Sequence, residues 1–156
     1  MFRLMRRAKQ AISKAQCEAV LCQAPRGVLS VHGVDGYPYG FPMNHIYLDG
    51  NLYFHSAKEG HKVDALSASS KASFCVMDEG YREEGHWELN IQSVIVFGTL
   101  ELVENQEEAI SVIRKLALKH YPDEASFTPM LQRCLGKFHI YKLNVEHMTG
   151  KLVNES

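Results

Sequence analysis

The sequence predicts a mainly β chain closed into a small barrel, with helices at its flanks, and three observations carry that expectation. Asp35-Gly36 and Asp49-Gly50 each separate a pair of runs rich in apolar, β-branched and aromatic residues, which is a strong hairpin signal. Further alternating runs follow, "KASFCVMD", "NIQSVIVFGTLELV" and "KFHIYKLNVEHMTGK". The one helical pattern between the strands ending near Ala57 and starting near Lys71 is short, which suits a strand-to-strand connection on a barrel better than a doubly wound sheet.

The elements follow in chain order. Ser13 and Gln16 fit a capping box, Cys17, Val20, Leu21 and Ala24 recur at helical spacing, and Pro25 stops the pattern, so Lys14 to Gln23 reads as an amphipathic helix. "GVLSVHGV", "YPYGFPMNHIYL" and "NLYFHSA" read as a meander of three antiparallel strands, with Pro38 and Pro42 placing a stretch of the second at an edge or bulge. "HKVDALSAS" reads as a short helix with Val63 and Leu66 inward. "KASFCVMD" is a fourth strand and "NIQSVIVFGTLELV" a long fifth, in which Gly98 marks a bend or bulge. The polar "EGYREEGHWEL" between them reads as an exposed loop. Asn105 can cap a helix striped by Ala109, Val112, Ile113, Leu116 and Ala117. "YPDEASFTPMLQRC" is ambiguous, with a short second helix as one reading, and "KFHIYKLNVEHMTGK" closes the sheet. We read a single domain over 1–156: a basic segment and helix (1–24), barrel strands (27–104), a helical insertion (106–135) and a closing strand with tail (137–153).

Composition narrows the function classes. Seventeen Lys and Arg against eighteen Asp and Glu give a formal net charge of −1. No nucleic-acid partner and no membrane surface is expected from that balance, although a local basic patch fits it. Met1 to Lys9 is basic but lacks the apolar core of a signal peptide, and no apolar run reaches the ~18 residues of a membrane span. The four cysteines, Cys17, Cys22, Cys75 and Cys134, form no CxxC pair; a reduced, cytoplasmic protein without structural zinc is the expectation.

"LYFHSAKEGHK", Leu52 to Lys62, gathers two histidines and two lysines where a strand gives way to a helix. Tyr53 and His55 share one strand face, Leu52 and Phe54 the other. Cations in a first helical turn oppose the macrodipole, at a cost of a few tenths to about 1 kcal/mol. They make sense if an anion sits there, bound by free N–H groups of the helix, by His61 and Lys62, and by the Ser56 hydroxyl; a phosphate monoester fits that donor set. On the residues alone a second reading stands beside this one: Lys58 and Lys62 as solvated charges and His55 as a hydrogen-bonded strand histidine. His45, His55 and His61 lack metal-ligand spacing, so no metal site is expected, and "GVLSVHG" lacks the nucleophile elbow of a serine hydrolase.

"GVLSVHGVDGYPYGFPMNHIYLDGNLYFHSAKEGHKVDAL", "SVIVFGTLELVE" and "VEHMTGK", in that order, resemble the pyridoxamine 5′-phosphate oxidase-like superfamily, and within it the nitroimidazole-resistance (Nim-like) proteins, over about Met1 to Asn154. The resemblance implies an FMN-binding split β-barrel of about six or seven antiparallel strands with three or four helices, and a homodimer with FMN at the interface. It implies that His61 and Lys62 bind the FMN phosphate, with Ser56 and Lys58 beside them, and that Met43, Asn44 and His45 border the isoalloxazine ring. Ser93 matches a polar position near the phosphate or ribityl chain, and His55 the histidine proposed as functional in Nim-like proteins. His147 to Lys151 match a tail motif that closes over the flavin. The Arg-rich substrate pattern of true pyridoxamine phosphate oxidases is not apparent, so vitamin B6 oxidation is not implied; Gln92 also stands where some relatives carry a basic residue.

Two functions follow from that resemblance. The first is an FMN-dependent, nitroreductase-like oxidoreductase in which NAD(P)H or another donor reduces the flavin, a small aromatic or nitro compound accepts electrons, and His55 is the catalytic proton donor. The second is a carrier that holds FMN, or haem in the same barrel, without turnover. A third possibility is an interaction protein whose ancestral pocket is empty.

Overall fold

The computed structural model describes residues 1–155. Seven antiparallel strands form one sheet: β1 (Arg26–His32), β2 (Pro38–Asn44), β3 (Ile46–Leu48), β4 (Asn51–Ala57), β5 (Lys71–Met77), β6 (Leu89–Leu102) and β7 (Phe138–Glu155). Four helices accompany them: α1 (Lys14–Gln23), α2 (His61–Ala68), α3 (Gln106–His120) and α4 (Glu124–Cys134). The sheet order is β2-β1-β5-β6-β7-β4-β3, curled around one core as a split barrel.

Local chemistry explains most boundaries. At the start of α1 the Ser13 hydroxyl accepts from the Gln16 amide, and the Gln16 side chain accepts from the Ser13 amide, the reciprocal box read from the sequence. Asn105 caps α3 and Asp123 caps α4, so the ambiguous stretch after Tyr121 is a helix. The β6–β7 register shifts at Phe97/Gly98. A Cβ on Gly98 would stand 2.1 Å from the Asn144 carbonyl oxygen, so only glycine lets the two strands approach there. Pro38 and Pro42 lie on β2, which is an edge strand, where a missing N–H costs no ladder bond.

One expectation needs correction: the second apolar run is not one strand of a three-stranded meander. It breaks at His45. β2 pairs with β1, β3 pairs with β4, and the two hairpins end at opposite edges of the sheet. His45 sits at the break. Its ring is fully buried, its Nε2–H donates to the Leu21 carbonyl at 2.7 Å, and it meets Phe74 edge-on at 4.8 Å. Phe41 and Met43 before it and Tyr47 after it pack on the same core, so the core-facing side is kept across the break.

The core is the barrel interior. Leu29, Phe41, Met43, Leu52, Phe54, Phe74, Val94, Val96 and Leu143 fill it, with Cys17, Val20 and Leu21 of α1 and Ala65 and Leu66 of α2 closing over them. Tyr53 faces outward and packs with Val112 of α3 and Ile140 of β7. α4 then rests on α3 through Phe127 and Leu131 against Ala117. This placement positions the site: Tyr53 and His55 share a strand face, so the helix that covers Tyr53 delivers its C-terminal end beside His55.

Candidate functional site, a cation-lined cleft at the split of the barrel

The cleft opens where β2 and β4 diverge. If the β3–β4 register continued past Ile46↔Tyr53, Asn44 would face His55; the kink at His45 separates them instead. Pro42, Met43 and Asn44 form one wall, His55, Ser56 and Ala57 the other, and Glu59, Lys62 and Val63 close the end, around a volume of about 380 Å³.

α2 begins at the end of that cleft. Its N-cap is Gly60 at φ +116°, a conformation that L side chains rarely adopt, and no side chain caps the helix. The chain turns sharply there, and the first-turn amides have no side-chain acceptor. Aromatic residues of β2 pack against both side chains: the Lys62 ammonium lies 5.1 Å from the Phe41 ring centroid, and the His61 ring meets Tyr39 at 4.7 Å.

The expected site residues divide into three groups. Met43, Asn44, His55, Ser56 and Lys62 meet in the cleft, although the Met43 side chain itself packs into the core. His61 stands at the rim against Tyr39. His45, Lys58 and Ser93 lie elsewhere. His45 is adjacent in sequence but faces the core, so its ring does not border the cleft. Lys58 lines a separate cavity of about 440 Å³ between β7 and α3, with His139 and Phe138. Ser93 pairs with Met77 and Lys151 in the middle of the sheet. The His147 to Lys151 motif is an interior stretch of β7, paired with Ser93 to Phe97, and His147 stacks on Phe2 at 4.4 Å.

Three basic residues not singled out in the sequence also stand beside the cleft. Arg26, opposite Asn44 in the β1–β2 register, donates from Nε to Asn44 Oδ1 at 3.3 Å. Lys119, near the end of α3, donates to the His45 carbonyl at 3.1 Å, and His120 follows it. In the sequence both look like ordinary cations complementing a helix C-terminus; only the packing of α3 on Tyr53 brings them to the cleft.

The electrostatics are one-sided. Burial, then Lys62 and His120, push the His55 pKa below its ordinary value. Burial, then Lys119 and Arg26, do the same to His120. Burial holds the Lys119 ammonium down to about 8, and burial with Lys119 takes His45 to about 4. Every charged neighbour acting on His55 and His120 is basic. The cleft can therefore receive an anion, with neutral imidazoles as hydrogen-bonding partners and fixed cations at both ends. Among the described residues no three of His, Cys, Asp and Glu group to hold a metal ion, and no helix is long and apolar enough to cross a membrane.

Fold and cleft together define a split-barrel protein with a cationic cleft between two β-hairpins. A family model described as pyridoxamine 5′-phosphate oxidase matches residues 13–152, and the chain belongs to that family of flavin-binding split barrels. Solved structures share the fold. A candidate 5-nitroimidazole antibiotic resistance protein from Bacteroides thetaiotaomicron is 24% identical, with 92% of this chain and 87% of that chain covered and a TM-score of 0.79. The flavocytochrome Anf3 from Azotobacter vinelandii is 16% identical, covering 97% and 72%, at 0.75. A FAD-binding protein from Mesorhizobium loti is 21% identical, covering 92% and 97%, at 0.65. A search of curated proteins gave no match.

Proposed function

We propose that the protein binds FMN in the β2–β4 cleft and acts as a flavin-dependent reductase of a small aromatic or nitro compound. The observation that carries this reading is the convergence of Asn44, His55, Ser56 and Lys62 on the uncapped start of α2. The donor set fits a phosphate monoester: first-turn amides, an ammonium and a hydroxyl at one corner, with no acidic residue in the cleft lining except Glu59. Asn44 and the Met43 backbone would border the ring from the opposite wall. At about 380 Å³ the cleft lies at the lower end of the range for small-molecule pockets, which agrees with a ligand that a second protomer helps to cover. The outer sheet face supports a homodimer: Val28, Met77, Ile95 and Phe97 of β1, β5 and β6 are exposed apolar side chains on adjoining strands. Similarity to a candidate nitroimidazole-resistance protein favours the nitro-compound branch.

When bound, the flavin supplies the redox chemistry. The chain's own residues bind, orient and tune. Lys62 and the α2 amides fix the phosphate end. His55 is neutral at pH 7, because burial and Lys62 lower its pKa; it holds a hydrogen bond to the ligand, and its ring Nδ1 or Nε2 becomes a proton donor once a bound anion offsets Lys62.

A carrier without turnover is the second reading, and one observation favours it: among the described residues no carboxylate acts on His55, as one would on an efficient acid–base histidine. Anaerobic addition of NADH and NADPH to the flavin-loaded protein separates the two. Bleaching of the flavin band at a catalytic rate supports the reductase; no bleaching with either donor supports the carrier.

A further inference from the structure

We propose that the cleft contains a second anion subsite, built by Arg26, Lys119 and His120 around Asn44, which takes the carboxylate or phosphate group of a small substrate. The substrate assignment rests on the proposed flavin site; the subsite itself does not.

These groups assemble against their own charge. Lys62 starts α2 and lines the cleft, while Arg26 of β1 reaches its Asn44, Lys119 at the end of α3 reaches the neighbouring His45 carbonyl, and His120 acts on its His55; none of the four forms an ion pair among the described residues. Only Glu59 among the carboxylates lines the cleft, and it stands at the Lys62 end, away from Arg26. Lys119 is partly buried and gives up proton affinity to be there. Holding a desolvated ammonium beside the His45 and His120 imidazoles, with Arg26 acting on His120 in turn, is unfavourable without a full counter-charge, and the Cys22 thiol is the one neighbour that acts in the other direction on Lys119. The fixed acceptors present are neutral: Asn44 Oδ1 takes the Arg26 Nε bond, and the His45 carbonyl takes Lys119. Arg26 keeps its terminal nitrogens for a further acceptor, in the fork geometry that suits a carboxylate or phosphate.

The subsite is distinct from the phosphate corner. Lys62 and the α2 start close one end of the cleft; Arg26 and the α3 end flank Asn44 on the β2 side. His55 lies between them and feels both Lys62 and His120. A ligand phosphate at one end and an anionic substrate at the other would meet at His55.

The test uses the full chain without added flavin, titrated with benzoate and separately with inorganic phosphate, while the imidazole resonances of His120 and His55 are followed by NMR. Benzoate is expected to shift His120, with an affinity that falls as salt is raised, and Arg26→Gln with His120→Gln is expected to weaken it about tenfold or more. Phosphate should bind this subsite and the α2 corner, and the double variant should lose only the first. Asn44→Asp is the second variant, because it supplies the missing anion internally: it should raise thermal stability and abolish benzoate binding. Unchanged benzoate affinity in both variants, or a His120 resonance indifferent to benzoate, overturns the proposal. A chain that binds benzoate at Arg26 and His120 but fails to bind FMN keeps the subsite and sinks the flavin reading instead.

Discussion

His45 shows how one residue can shape a site without entering it. Its Nε2–H is committed to the Leu21 carbonyl, and its Nδ1 is buried with no partner. The ring must therefore stay neutral, in agreement with a pKa lowered to about 4. The unfolded chain takes up the proton near pH 6.5, so between about 6.5 and 4 the unfolded state binds more protons than the native one. Stability is then fully present above pH 6.5 and is lost as pH falls towards 4, by up to about 3 kcal/mol from this residue. Chemical denaturation across that range should show the decline, and His45→Gln should flatten it while lowering stability at pH 7. His55 follows the same sign in the free protein, with a smaller effect because it is more exposed. Binding of an anion at Lys62 should raise its pKa, a shift that NMR titration would read directly.

At the scale of elements, what was legible in the sequence was whatever local chemistry decides. The α1 capping box and the Asp49-Gly50 turn, with both residues at positive φ, are fixed by residues within a few positions, and the β2 prolines and Gly98 mark an edge and a bulge by their own backbone chemistry. Gly98→Ala should cost more than about 2 kcal/mol in thermal or chemical unfolding, because the new methyl meets backbone, which cannot swing aside. The break at His45 was not legible. Alternation carries Tyr39, Phe41 and Met43 up to His45 and gives way there to three consecutive apolar residues, Ile46 to Leu48, but which sheet edge each half joins is a long-range matter, as is the bond from His45 to a helix twenty-four residues earlier. The cleft residues on α2 and β4 announced themselves as cations at a strand–helix junction. Arg26, Lys119 and His120 carried no such mark, because their role depends on which strand face α3 covers. Lys58 carried the same mark as Lys62 but lies on the other side of the turn. Gly60→Ala should distort that turn, since φ +116° strains any side chain, at a cost of about 1–3 kcal/mol.

At the scale of the whole molecule, the two hairpins at opposite sheet edges are what split the barrel, and the split is what creates the cleft. In the proposed homodimer, the exposed apolar strip on β1, β5 and β6 would be the surface on which a second copy completes it. Ile95→Glu should shift sedimentation from dimer to monomer and weaken flavin binding together; a monomeric wild-type chain would remove that surface from the account. The claim beneath all of this is that a phosphate docks at the start of α2. Its most direct test is the affinity of the ligand-free chain for FMN against riboflavin, in the wild type and in His61→Ala with Lys62→Ala. FMN is expected to bind about a hundredfold tighter than riboflavin, and the double substitution to close most of that gap. Equal affinity for the two ligands, or a gap untouched by the substitutions, would contradict it.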